Sequence, residues 1–373
     1  MSTHEIVILG GNLGGLAVAH YLLKHVVPAL PKSRHYHITV ITPNKKAFFK
    51  IAAPRVIAAP SKISTSQILP SIDTAFSSYT GIDFVHGRAT RIDPSTGTIE
   101  VSIGESVKYD SLVIATGSKY ASDLWNSIED DAMEKLYSEV HEQISKAQTI
   151  LIAGGGAVGV ELAAEVAENF PSKKVTLLTG SARPLPRLSE KSSRRATQQL
   201  GSLGVRIMNN HRVTSQKKTG AGTTKITAGE FEEDTDVFID ATGGKPNSGF
   251  LPSSWLNENG YVTVNKETLR GTGPEMENVY AIGEVASYTT GSILDIQDGV
   301  KALASSIAID LGLKRKQVSY KLFVKGQVVS IGSRGGVFNL GGWSLPSFFV
   351  WLLKSRDMMI GGAEKYIGGA KWD

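Results

Sequence analysis

Ile8-Leu9-Gly10-Gly11-Asn12-Leu13-Gly14-Gly15 and Ile152-Ala153-Gly154-Gly155-Gly156-Ala157-Val158-Gly159 are the two stretches that decide the fold. Each follows a short run of β-branched and aliphatic residues and leads into a helical pattern. A strand that turns on glycine into a helix sets a pyrophosphate against the free N–H groups of the helix N-terminus. Two such units predict two dinucleotides held at once, and electron transfer between them. The 373 residues contain no cysteine, which excludes a redox-active thiol, disulfide staples and thiolate metal sites.

Working outward, Glu5–Leu9 reads as a buried strand and 14–25 as a helix, with Leu16, Ala19, Leu22 and Leu23 on one face. His37–Ile41 is a second strand and completes a βαβ unit. An apolar strand, Tyr109–Ala115, ends at Thr116-Gly117, and Asp236–Ala241 echoes it by ending at Thr242-Gly243. Helices are predicted over 129–147, 159–169, 188–203 and 296–311. The stretch 212–230 is β-rich. The last 60 or so residues carry short strands over 319–331, a glycine-rich turn and an aromatic run from Trp343 to Leu353.

Bulk composition agrees with a soluble globular chain of two or three domains: 41% hydrophobic and 20% charged residues, with the 39 glycines gathered at strand ends. The net charge of +5 suits anionic cofactors or an anionic membrane surface, and equally a slightly basic soluble protein. The basic residues do not cluster as nucleic-acid binding requires. A first strand at about Glu5 predicts no signal or transit peptide. Ser2 offers no myristoyl acceptor, and no apolar run reaches the ~18 residues of a membrane span. The expected address is the cytosol. The eight histidines show no metal-ligand spacing, so no metal is expected.

The first turn departs from G-x-G-x-x-G at Asn12, a residue that tolerates left-handed backbone better than most. The acid expected after the next strand, which grips an adenosine ribose, is replaced by Thr42, with Pro43 and Lys46 following. The second turn is complete in Gly154, Gly156 and Gly159. Its following strand ends at Thr179-Gly180-Ser181-Ala182-Arg183, again without an acid. An acid there selects NADH; its absence, with Arg183 near, admits NADPH as well.

The ordered set Gly10–Gly15, Ala115–Ser118, Gly154–Glu165, Asp240–Asn247 and Val279–Ala286 resembles the two-dinucleotide flavoproteins, the FAD-dependent pyridine nucleotide oxidoreductases of glutathione-reductase type. Within them it is most similar to the apoptosis-inducing-factor and ferroptosis-suppressor group and its fungal relatives. Phe48–Arg55 and Leu353–Asp357 carry that closer likeness. The resemblance implies an α/β fold of two Rossmann-like dinucleotide-binding domains plus a C-terminal α+β cap. The boundaries it implies are 1–120 with 245–315 for FAD, 121–244 for NAD(P)H, and 316–373 for the cap. It implies FAD contacts at Gly10, Gly11, Asn12, Leu13, Gly14, Gly15, Thr42, Pro43, Lys46, Arg55, Ala89, Ala115, Thr116, Gly117, Gly283 and Glu284. It implies NAD(P)H contacts at Gly154, Gly156, Val158, Gly159, Thr179, Arg183 and Gly243.

Glu284 stands where the family has Asp; a helix N-terminal acid is the alternative reading. Glu161 and Lys50 are the implied catalytic pair, orienting the nicotinamide against the flavin. Their bland readings are a helix-face carboxylate and a surface lysine. The helix from about Ile296 is expected to point its N-terminus at the flavin, with Gln297 and Asp298 at that entrance. The run Trp343–Lys354, with Arg356, reads either as a quinone tunnel or membrane contact with both cations at headgroups, or as core or dimer interface. The implied activity is electron transfer from NAD(P)H through FAD to a quinone-type acceptor, in a monomer or homodimer. The rivals are a biosynthetic flavin oxidase or dehydrogenase acting on a small molecule, and a slow-turnover signalling flavoprotein.

Overall fold

Two parallel sheets form the frame of the molecule, a computed structural model that describes residues 2–220, 222–321, 326–341 and 343–372. The first sheet runs, edge to edge, Val279–Ala281, Ser111–Ile114, Thr3–Leu9, His35–Thr42 and Ile82–His86. Ile6 is in register with Ile38 on one side and Ser111 on the other. Ile6, Val7, Ile8 and Leu9 are all buried, because helices and other elements cover both faces of the sheet. The second sheet runs Arg206–Asn209, Lys174–Thr179, Thr149–Ala153 and Val237–Asp240. In each, the strand before the glycine turn has its successor on one side and a later strand on the other. The strand order reverses at that point, and the crevice at the carboxyl ends of such strands is where ligands bind in α/β sheets.

The helices follow the sequence reading with shifted ends. Leu13–Tyr21 opens the first fingerprint and then widens over Leu22–Val26. It is enclosed nearly all round, and Leu16, Ala17, Val18 and Ala19 have no exposed surface. Ile293–Asp310 starts about a turn earlier than expected. Ser292 and Asp295 form a capping box there, satisfying the first free N–H groups. Asp130–Lys146, Ala157–Asn169 and Glu190–Ser202 occupy the other predicted helices.

The C-terminal part holds the largest departure. Strand Gly326–Ser330 turns back at glycine into Gly336–Leu340, and Trp343–Leu345 adds a third antiparallel strand. Of the strand expected over 319–331, residues 322–325 lie outside the described ones. Helical turns Ser347–Val350, Trp351–Ser355 and Ile360–Ile367 follow.

Arg55 was expected at the flavin nucleotide; the structure places it elsewhere. It sits on helix Ala53–Ala58, which packs on Ala157–Asn169, and its guanidinium is turned into that junction. Nε and Nη2 donate to the two carboxylate oxygens of Glu165, at 3.0 and 2.6 Å, and Nη1 donates to the Ser355 carbonyl at 2.7 Å. Both side chains are essentially inaccessible, at 3% and 0%. Arg55 therefore joins the first-sheet unit, the second-fingerprint helix and the C-terminal segment. Removing one member of a buried pair strands the other charge, a cost of about 3–5 kcal/mol. Arg55→Ala is expected to lower the stability by that order, and Arg55→Met combined with Glu165→Leu to recover much of it. Chemical denaturation of the variants is the check; an Arg55→Ala protein as stable as the parent would remove the clamp.

Candidate active site

The first cleft, about 570 Å³, opens at the carboxyl ends of the first sheet. Its shape depends on atoms that are missing. Gly10 takes a φ of +114°, and a Cβ there would lie 2.4 Å from the Ala115 carbonyl oxygen. A Cβ on Gly15 would lie 1.9 Å from the Gly10 oxygen, so the helix approaches the strand only because Gly15 has none. Gly10, Gly11, Asn12, Leu13 and Gly14 line the cleft; Gly15 instead packs behind it.

Asn12 serves by a different route than expected. Its backbone is extended (φ −127°, ψ −168°), so no left-handed tolerance is needed. Its Oδ1 accepts from the N–H groups of Leu13 and Phe48, at 3.0 and 3.2 Å, and pins the two segments together. Thr42 is buried against Gly11, where a Cβ would meet its hydroxyl at 2.5 Å. Thr42, Pro43 and Ala89 line the cleft. Lys46 does not; its ammonium reaches Glu134, on helix Asp130–Lys146, at 3.5 Å. Arg88, the residue before the expected Ala89, also lines the cleft.

Ala115, Thr116 and Gly117 line the cleft beside Gly283 and Glu284. Thr116 donates to the Asn247 carbonyl at 2.7 Å, and the Asn247 N–H to the Gly117 carbonyl at 2.9 Å. This latch ties the two crossovers between the units. Gly117 and Gly283 both have positive φ and empty space where a Cβ would be. Ile296, in the first turn of Ile293–Asp310, also lines the cleft, while Gln297 is occupied by a hydrogen bond to Tyr366. A dinucleotide fits this arrangement, and the first N–H groups of Leu13–Tyr21 would be the ones to hold its pyrophosphate.

The second cleft, about 880 Å³, repeats the design. A Cβ on Gly154 would lie 2.3 Å from the Ala241 oxygen, one on Gly159 1.9 Å from the Gly154 oxygen, and one on Gly155 2.3 Å from the Thr179 hydroxyl. Gly154, Gly156, Val158, Thr179 and Gly243 line it, and Gly159 packs behind. Arg183 does not line it. Its Nη2 donates to the Leu188 carbonyl of its own loop at 3.2 Å. Arg187, His211 and Arg212 line it instead.

Lys50, Ser118, Trp125 and Glu284 line both clefts and so mark where they meet. Lys50 Nζ donates to both Glu284 oxygens at 3.1 Å and to the Tyr120 hydroxyl at 2.9 Å, and Tyr120 donates to Glu284 at 2.9 Å. Glu284 thus uses its extra methylene to reach across the junction to Lys50. Burial alone would depress the Lys50 pKa, but Glu284 and Tyr120 outweigh it and hold it above the ordinary lysine value. The ammonium is therefore retained through neutral pH, and the pair's stabilisation is lost only as pH rises through that elevated value.

The expected Lys50–Glu161 pair is not formed. Two residues beyond Gly159, Glu161 faces away from both clefts, toward the C-terminal sheet. It accepts from Lys354 Nζ at 2.5 Å and from the Ser330 N–H at 3.0 Å. Burial pushes its pKa up, against the pull of Lys354. Lys354 is consequently not a headgroup cation. The wide turn Trp351–Ser355 brings Lys354 and Ser355 inward and leaves Leu352 and Leu353 outside. Nothing in the local sequence around either residue signals the other.

Gly15→Ala drives a methyl into the Gly10 carbonyl. The expected product is a folded protein with most of its flavin lost, read as flavin absorbance per protein; full flavin content would show that the turn relaxes without cost.

The pyridine nucleotide-disulphide oxidoreductase family model matches residues 4–306. Oxidoreductase phnG of Penicillium herquei is 31% identical, covering 100% of this chain and 97% of that protein. Ferroptosis suppressor protein 1 of Xenopus tropicalis is 28% identical, covering 98% and 96%. The solved sulfide:quinone oxidoreductase of Aquifex aeolicus superposes with a TM-score of 0.79 over 98% of this chain and 92% of its own, at 15% identity. FAD and NAD(P)H are the cofactors of this family, and the two clefts are built to hold them. With its two fingerprints, its parallel sheets and its matched span, the chain belongs to the pyridine nucleotide-disulphide oxidoreductase family, as a member without cysteine.

Proposed function

We propose that the protein passes electrons from NAD(P)H through FAD to a quinone-type acceptor. The observation that carries this reading is the junction of the two clefts at Lys50, Ser118, Trp125 and Glu284. Two nucleotides laid end to end in them bring their reactive rings together there. FAD, when bound, accepts a hydride from NAD(P)H and yields two electrons to an acceptor; the protein's task is approach, alignment and exclusion of water. The Lys50 ammonium, held by Glu284 and Tyr120, stands at the junction, where negative charge builds on reduction, and its carboxylate partner offsets part of that attraction. Glu161 is a positioning residue. Its bond to Ser330 fixes strand Gly326–Ser330, and that strand presents Gln327 to the second cleft. The absence of cysteine rules out disulfide reduction by the chain's own thiols.

The test is an anaerobic mixture of the flavoprotein with NADH or NADPH, followed by a soluble ubiquinone analogue. Fast bleaching and fast recovery are expected. No bleaching by either nucleotide would favour a biosynthetic oxidase or dehydrogenase, and bleaching without recovery a signalling flavoprotein. Glu161→Ala is expected to slow bleaching by about tenfold or more with FAD retained, since it strands Lys354 in the interior; unchanged bleaching would remove Glu161 from the mechanism.

The acceptor side is proposed on the C-terminal surface. Trp343 and Phe348 are 78% and 61% exposed, with Phe349, Leu352 and Leu353 also outside, and the Arg356 guanidinium lies over Trp351. Single exposed apolar side chains are ordinary, but a group of large ones marks a contact surface. No helix among the described residues is long and apolar enough to cross a membrane. We read the surface as peripheral contact with anionic lipid. Phe348→Ser with Leu353→Ser is expected to reduce co-sedimentation with anionic vesicles. Unchanged sedimentation, with the parent alone forming a dimer, would assign the surface to self-association.

A further inference from the structure

We propose that Arg212 recognises the 2′-phosphate of NADPH, making NADPH the preferred reductant; this rests on the reading of the second cleft as the NAD(P)H site. The 2′ position of the adenosine ribose falls at the end of the strand that follows the fingerprint helix, where a carboxylate selects NADH and a nearby arginine accepts the phosphate. Here that strand is Lys174–Thr179, and its last residue is a buried threonine pressed on Gly155. Among the described residues lining the cleft, the carboxylates are Asp240 and Glu284, and neither serves that position. Asp240 accepts from the N–H and hydroxyl of Thr242 in the neighbouring turn, at 2.8 and 2.6 Å. Glu284 is held at the flavin junction by Lys50 and Tyr120. No acid at the strand end repels a dianion.

Three arginines compete for the role, and their geometry separates them. Arg183, the candidate by sequence position, is folded onto the Leu188 carbonyl. Arg187 reaches across to the Thr290 carbonyl at 3.1 Å, bridging to the loop that precedes Ile293–Asp310. Arg212 lies at the strand end itself. The His211 N–H donates to the Thr179 carbonyl and the Asn210 N–H to the Ser181 carbonyl, both at 2.9 Å, which hold 210–212 against 179–181. A Cβ on Gly180 would lie 3.5 Å from both Cβ and Nε of Arg212, so the arginine lies directly over that glycine. Arg212 is exposed and lines the cleft together with Ser181, and its guanidinium offers a fork of N–H donors suited to a phosphate.

The test is calorimetric titration of the purified flavoprotein with adenosine 2′,5′-bisphosphate and with 5′-AMP, the adenosine ends of NADPH and NADH. The bisphosphate is expected to bind at least about tenfold more tightly, a preference that weakens with salt. In Arg212→Ala the preference is expected to fall toward unity, and in Arg212→Glu to reverse. The ratio of kcat/KM for NADPH over NADH should fall in parallel. Equal binding of the two fragments by the parent, or an undiminished ratio in Arg212→Ala, overturns the proposal. If neither coenzyme bleaches the flavin, the reductase reading fails, while the fragment titration still decides the role of Arg212.

Discussion

Four missing side chains hold this architecture in place. Gly10, Gly15, Gly154 and Gly159 each bring backbone against a carbonyl oxygen at a distance that no Cβ permits. A helix can then start immediately at the end of a buried strand, with its first N–H groups facing open space. The anion site follows from that close approach, and the rest of each cleft is arranged around it. The same three contacts recur in both units: turn glycine on a distant carbonyl, helix glycine on the turn, and a threonine beneath the intervening glycine. Thr42 and Thr179 are thereby explained as packing residues.

The second-fingerprint helix also carries the joints of the molecule. Glu165 binds Arg55 from the first unit, and Glu161 binds Lys354 from the C-terminal segment. Both pairs are buried, so desolvation cancels much of their attraction, and neither is strong evidence for net stability. What they fix is relative position. A charge stranded by displacement of either neighbour costs several kcal/mol, so the three parts hold one mutual arrangement. That arrangement brings Lys50, from one unit, and Gly154–Ala157, from the other, onto the same cleft.

Charge is distributed unevenly along the paired clefts. At the junction, one lysine and one carboxylate compensate each other beside a tyrosine hydroxyl. At the far end of the second cleft, Arg212 stands on an exposed wall with no acid at the strand end. The compensated pair leaves little net charge at the junction, whereas Arg212 is the group proposed to discriminate between coenzymes. The exposed aromatic surface on the C-terminal segment adds a third face, apolar and bordered by Arg356.

The glycine spacings, the apolar strands and the paired Thr-Gly endings were enough to determine the fold class and both fingerprints, and most of the residues expected at the site fall on the walls of the two clefts. Those features are local: a turn that needs a missing Cβ declares itself within a few residues. The side-chain partnerships were decided only by the tertiary structure. Lys50 finds Glu284, Glu161 finds Lys354 and Arg55 finds Glu165 across more than a hundred positions of chain in each case, and the sequence around one partner carries no trace of the other. Lys46 and Arg183 were placed in clefts by position along the chain, yet each reaches a nearer partner first. A long flexible side chain goes where its surroundings offer a charge or a carbonyl, and those surroundings exist only once the chain has folded.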